Sequence, residues 1–311
     1  MKKFLACSGG GDRGTIILGM LEELYTLKGK TSVDWDEMAG ISVGGFIAAY
    51  LSQTDKHSFC HMVANLKQSV FSGNFNVVSP WIWGGEVLNF LNSMLHHSSI
   101  YSNARMKDML HTWYDPNKSH KPFHIGCYNK SLSRYETFSS TDNHDMRQIC
   151  LASAAVPVVF PEVPIGNHIY QDGGMRHIIP VNEIKAWLER TDGPRHVDIL
   201  VCFPIHKPEL FTKMTVPIFH YPLVDEATRM VSDLMLEQLQ NDLQVLATIC
   251  NVEKRELTRT PCGEFTNGEI TIRILSPSEG HYSSMRDMSK EKNILLYQSG
   301  TSVVKDYLLK I

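Results

Sequence analysis

Ser42 is the first residue along this chain whose surroundings could make it a nucleophile. It stands in "GISVG" at 40–44, with Gly45 and the apolar helical run "FIAAYL" following. A serine on a sharp strand-to-helix turn holds its hydroxyl clear of the backbone, and Gly40 and Gly44 would relieve the crowding beneath it. The same five residues also fit a serine that only caps a helix. An anion cradle and a base elsewhere in the chain would separate the two readings. "GGGDRG" at 9–14 could be the cradle, since a short apolar strand precedes it and a helical run follows. Glycines let backbone N–H groups turn towards an anion at the positive end of a helix. If the strands before the two loops are parallel neighbours, their carboxyl ends meet at one crevice. Gly9, Gly10, Gly11, Asp12, Arg13 and Gly14 would then form an oxyanion site for Ser42, where one lost donor typically costs ~3 kcal/mol. A tight turn with no further duty explains "GGGDRG" alone equally well.

Two other chemistries compete for these residues. The spacing of 9–14 also matches G-x-G-x-x-G, and Asp34 and Asp36 lie about 20 residues on, as a dinucleotide site asks. Both acids, however, precede "EMAGIS", the stretch that would be the second strand, where such a site needs an acid at the strand's end. A phosphate-binding Walker loop is excluded, because no Gly-Lys-Ser/Thr occurs there. A Ser-His-Asp esterase or acyltransferase needs a histidine, and none of the fourteen stands in a glycine-framed strand end. His177, five residues past Asp172, is the first to test for that role. His57 and His61 share a helical face, but Ser58 stands where a zinc protease places glutamate. His96 and His97 close a helix. No metal and no cofactor are expected.

Asp172 is the stronger candidate base. In "IYQDGGMRHIIPV" an apolar strand delivers it to Gly173 and Gly174. An unperturbed aspartate, with a pKa of about 3.9, is a poor base for a hydroxyl. Burial would raise that value, and contact with the serine would let proton transfer accompany attack.

The elements that must position these groups alternate between strand and helix. Strand, loop and helix fill 3–27, and strand, turn and helix fill 37–53. Helical segments cover much of 56–112, including "GEVLNFLNSML" and "ARMKDMLHTWY". Strand-like pieces lie at 122–139, "MRQICLASAAV" is helical, and "HVDILVCFP" at 196–204 reads as a buried strand. That order predicts an α/β fold, a mostly parallel sheet with helices on both faces. Beyond 205 the texture changes. A long amphipathic helix spans 224–250, with apolar residues at 227, 230, 231, 234, 239, 243, 246 and 250. "EITIRILSP" follows as a strand and "MSKEKNILLYQSGTSVVKDYLLKI" as a final helix. The simplest organisation is one domain over 1–205 with a helical extension, 206–311, packed on it.

Bulk properties narrow the partners. With 43% hydrophobic residues in 311, the chain can bury a sizeable core. A net charge of −3 offers no footprint for nucleic acid. No apolar run approaches the ~18 residues that cross a bilayer, and "FLAC" near the start is too short for a secretory core. Seven cysteines with no C-x-x-C pair suit a reducing, cytoplasmic compartment. Trp81 and Trp83, in "VVSPWIWGGEVLNFL", could seat the protein peripherally at a membrane. Burial beneath a loop accounts for them more simply.

"GGGDRG", "GISVG", "ASAAVPVVFP" and "DGG", in that order over roughly 3–205, resemble the patatin-like phospholipase family. The resemblance implies a patatin-like three-layer fold. It also implies a Ser42–Asp172 dyad, an oxyanion hole at 9–14 and a phospholipid or related acyl-lipid substrate met at a transient membrane surface. Some bacterial members of that family wait for an activator protein. The sequence departs from the commonest family spelling in placing Ile41 and Val43 around the serine.

Overall fold

Strands buried on both faces must be apolar at nearly every position, and the segments that form the middle of this sheet are. In β1 (Lys2–Cys7), Phe4 and Ala6 face one hydrophobic cluster while Leu5 and Cys7 face another. This computed structural model describes residues 1–29, 33–55, 57–72, 79–80, 92, 97–207, 222–280 and 289–309. The expected "GEVLNFLNSML" helix, apart from Asn92, and Trp81, Trp83 and His96 lie outside the described residues.

From β1 the chain enters α1 (Gly14–Lys28), β2 (Glu37–Ile41), α2 (Val43–Leu51) and α3 (Phe59–Phe71). Next come α4 (Ala104–Trp113), the hairpin β3 (Phe123–Asn129) and β4 (Arg134–Ser139), and α5 (Met146–Ser153). A second hairpin, β5 (Val163–Ile165) and β6 (His168–Asp172), leads to α6 (Val181–Arg190) and β7 (Arg195–Leu200). The final part holds α7 (Pro222–Cys250), α8 (Lys254–Leu257), β8 (Cys262–Asn267), β9 (Ile270–Leu275) and α9 (Lys290–Leu308).

Among the described residues one sheet takes in the nine strands in the order β5-β6-β3-β2-β1-β7-β9-β8, with β4 also paired to β3. The run β3-β2-β1-β7-β9 is parallel, and β4, β6 and β8 join it antiparallel. This is the mostly parallel, helix-flanked α/β architecture that the alternation predicts.

Residues beyond 205 do more than cover the sheet. β9 extends it beside β7, and β8, which hydrophobic patterning misses, closes that edge as a hairpin. Among the described side chains of the predicted apolar stripe along α7, Leu239, Leu243, Leu246 and Cys250 are buried, while Met230 is exposed. α9 crosses α1 with backbones in contact. A Cβ on Gly19 would lie 2.2 Å from the Tyr297 carbonyl oxygen, and one on Gly300 would lie 2.0 Å from that of Ile16.

A buried ionic knot ties the later strands to the earlier ones. Asp198 of β7 accepts from Trp35 Nε1 at 2.7 Å, Arg273 Nε of β9 at 2.6 Å and His196 at 2.9 Å. Burial opposes its charge, but these partners prevail and hold its pKa down at about 2. A depressed aspartate contributes stability above its unfolded pKa and loses it as pH falls towards the folded value. Replacing it strands Arg273 without its counter-charge, which typically costs about 3–5 kcal/mol. Asp198→Ala is therefore expected to lower the urea-unfolding free energy at pH 7 by about that amount, and a change under 1 kcal/mol would refute the role.

Candidate active site

Ser42 sits where β2 ends and α2 begins, with φ 55° and ψ −125°. A non-glycine residue at positive φ stores roughly 1–3 kcal/mol and persists only where the surroundings impose it. Here they do. A Cβ on Gly40 would lie 2.1 Å from the Gly44 carbonyl oxygen, and one on Gly44 would lie 2.3 Å from that of Cys7. The end of β1, the end of β2 and the first turn of α2 thus meet backbone to backbone. The Ser42 side chain makes no capping hydrogen bond, so the helix-cap reading fails. Val43 packs against Gly14, where a Cβ would come within 2.4 Å of its Cγ2. That fit accommodates the branched residue beside the serine.

The turn is pinned by a residue that sequence reasoning quoted without giving it a role. Ser42 N–H donates to Ser153 Oγ at 2.8 Å, and the Ser153 hydroxyl donates to the Gly126 carbonyl at 2.7 Å. Ser153 is wholly buried at the end of α5. The small-residue run "ASAAV" was its only visible signal.

Sheet register brings Asp172 to the same level. Ile41 stands opposite Gly126 across β2 and β3, and Cys127 stands opposite Asp172 across β3 and β6. Two strand spacings of about 4.8 Å therefore separate the backbones of the two residues, a gap that side chains leaning over β3 can bridge. The Gly173 backbone closes against β3, since a Cβ there would lie 2.3 Å from the Gly126 carbonyl oxygen and 3.1 Å from Ile41 Cγ2. Asp172 Oδ1 accepts from Gly174 N–H at 2.7 Å. Its Oδ2 is buried with no hydrogen-bond partner. Burial pushes the carboxyl pKa up to about 7, against smaller opposing effects from the Gly174 amide and the Ser42 hydroxyl. The hydroxyl is thus close enough to favour the carboxylate, yet forms no hydrogen bond of normal geometry with Oδ2. Such contacts are often loose before substrate binds.

The 9–14 loop borders Ser42. A Cβ on Gly9 would sit 3.5 Å from Ser42 Cβ, and Gly9 N–H donates to the Ile178 carbonyl at 2.9 Å. Among the described residues, the N–H groups of Gly10 and Gly11 donate to nothing. Asp12 and Arg13 belong to the tight turn Gly11–Arg13, and both side chains are buried. The Arg13 guanidinium lies 5.1 Å from the Phe203 ring centre, and Lys292 Nζ donates to Asp12 Oδ2 at 2.6 Å.

The competing groups lie elsewhere or are engaged. His177 holds Asp242 of α7 through Nδ1 at 2.6 Å and faces Asn182 through Nε2 at 3.1 Å. Asp242 also accepts from Ile178 and Ile179 N–H, an anchor that sequence reasoning did not find inside a helical stripe. Asp36 accepts from Lys3 N–H and Asp34 pairs with Lys121, so both sit at the amino ends of the strands, away from the glycine loop. This placement overturns the dinucleotide reading. His57 and His61 are exposed on the surface.

Beside Val43 and Gly14 a small apolar crevice of about 30 Å³ lies along α2. Phe46, Ile47, Tyr50, Leu66 and Trp113 line it.

The sequence profile of patatin-like phospholipases matches residues 5–184, more than half of the chain. The chain belongs to the patatin-like phospholipase family. Solved structures with similarity include VipD from Legionella pneumophila, at 11% identity and TM-score 0.44, covering 99% of this chain and 67% of that one. Human GIVD cytosolic phospholipase A2, bound to methyl gamma-linolenyl fluorophosphonate, gives 10% identity and TM-score 0.44, with 99% and 58% covered. ExoU of Pseudomonas aeruginosa, in its complex with SpcU, gives 18% identity and TM-score 0.32, with 78% and 51% covered. The chain thus spans little more than half the length of the last two. No curated protein sequence matches it.

In this patatin-like domain the raised pKa of Asp172 has a stability consequence. A carboxyl whose folded pKa exceeds its unfolded value favours folding at low pH, and that contribution is lost as pH rises from about 4 to about 7. Asp172→Asn removes the buried charge and keeps an acceptor for Gly174. It should stabilise the fold at pH 8 by up to about 4 kcal/mol and at pH 5 by less than half of that. Thermal unfolding at both values checks this; equal effects at the two would contradict it.

Proposed function

We propose that the protein is a lipid acyl hydrolase of phospholipase A type, cleaving carboxylic esters through a Ser42–Asp172 dyad. The observation that carries the reading is the dry, partnerless Oδ2 of Asp172 held at the level of a strained serine. A carboxylate near pKa 7 is matched to proton transfer at neutral pH.

Ser42 Oγ attacks the ester carbonyl carbon while its proton passes to Asp172. The carbonyl oxygen becomes an oxyanion, for which Gly10 and Gly11 N–H groups are the free donors. Collapse breaks the bond to the alcohol oxygen, which takes the proton from Asp172, and an acyl-serine remains. Water then attacks that ester with Asp172 as base. The second collapse frees the carboxylic acid and returns the proton to Ser42. The Ser42 amide, committed to Ser153, holds the elbow still.

The crevice along α2 has the apolar lining that an acyl chain prefers, and a long chain would have to widen it. Its walls are almost entirely apolar, and an alkyl chain gains about 0.8 kcal/mol for each methylene it buries. No helix among the described residues is long and apolar enough to cross a membrane, so the proposed encounter with lipid is at a surface. A dyad without histidine agrees with the engaged ring of His177.

Fatty-acid release from mixed phospholipid and neutral-glyceride vesicles tests the reading and identifies the preferred lipid. Ser42→Ala should lower kcat by at least about a thousand-fold. Asp172→Asn should lower it by about 10²–10⁴-fold, the usual range for a lost general base. Full activity in either folded variant would end the proposal.

A further inference from the structure

We infer that Lys292, far beyond the segment the family profile matches, is a positioning residue for the anion cradle that cancels the charge of Asp12 beside it. The inference rests on the hydrolase reading. Asp12 is 2% exposed and lies on the same three-residue turn as Gly11. A carboxylate buried there would oppose any oxyanion forming against the glycine amides, because like charges repel strongly where water is excluded. Lys292 Nζ touches Asp12 at 2.6 Å and is itself largely covered, at 14% exposure. Among the described residues Arg13 is a second cation that feels the Asp12 charge, and its guanidinium lies over the Phe203 ring, whereas Lys292 bonds the carboxylate directly.

The ammonium group is delivered by a rigid element. α9 begins at Lys290, where Ser289 caps it by accepting from Lys292 N–H. The next side chain, Asn293, is wholly buried and donates to the Val70 carbonyl on α3 at 3.0 Å. The Gly19 and Gly300 contacts lock α9 onto α1, the helix that the Gly11–Arg13 turn opens. The C-terminal helix therefore reaches the cradle, among the described residues, through the Lys292–Asp12 pair.

The test compares the full-length wild type with Lys292→Met, Lys292→Arg and the double variant Asp12→Asn/Lys292→Met on a soluble acyl ester. Lys292→Met should lower kcat about ten-fold or more while KM stays within about two-fold, as expected when only oxyanion stabilisation is weakened. Lys292→Arg should retain most of kcat. The double variant should regain activity over Lys292→Met, since it restores charge balance without restoring the lysine. A wild-type kcat in Lys292→Met overturns the inference, as does a folded double variant no better than the single. If Lys292→Met does not fold, Lys292→Gln replaces it, keeping a donor to Asp12 without the charge; wild-type kcat in that variant overturns the inference equally. Absence of hydrolysis by the wild type would instead fail the hydrolase reading, a separate outcome.

Discussion

A carboxyl group in a dry place with one oxygen unpaired is a costly thing to keep, and the fold is arranged around keeping it. Asp172 takes one backbone donor, the Gly174 amide, and burial outweighs both that donor and the nearby Ser42 hydroxyl in setting its proton affinity. More donors would lower the pKa and leave a stable but weak base. Exposure to water would do the same. The site instead holds the carboxyl near neutrality beside one hydroxyl, which suits proton exchange with a serine.

Everything adjacent fixes geometry. The positive φ of Ser42 is imposed by three backbone segments in contact, and glycines at 40 and 44 make that contact sterically possible. Ser153 links the elbow to β3, and the register of β3 with β2 and β6 sets the level at which Asp172 arrives. The final third of the chain joins in from the other side. Asp242 on α7 holds Ile178, whose carbonyl holds Gly9, and Lys292 on α9 holds Asp12. The glycine loop is therefore braced by both late helices.

Much of this was legible from residue types. The alternation of strand and helix predicts the α/β sheet, and the glycine-framed elbow, the glycine loop and the Asp-Gly-Gly turn each stand where such a sheet presents them. What stayed hidden depends on register and on contacts distant in sequence. Local sequence shows a strand ending at Asp172, but not that the strand runs antiparallel with β3 lying between it and Ser42. Nor can it show that the hydroxyl of Ser153 serves the amide of Ser42 across 111 positions. β8 escaped notice because "CGEFTN" carries little apolar alternation, and nothing in "MSKEKNILLYQSG" sets Lys292 apart from the charges around it. The aspartates at 34 and 36 were legible too: their spacing suits a ribose contact, but the sequence already sets them before the strand, and there the structure holds them.

The claim that these features serve one shared proton is tested most directly by following phosphonylation of Ser42 with an alkyl fluorophosphonate across pH, the adduct located by peptide mass spectrometry. A single adduct at Ser42, forming about ten-fold faster for each pH unit up to roughly 7 and levelling above it, is the predicted result. An adduct on another residue, or a Ser42 rate that is flat from pH 5 to 8, would contradict the account.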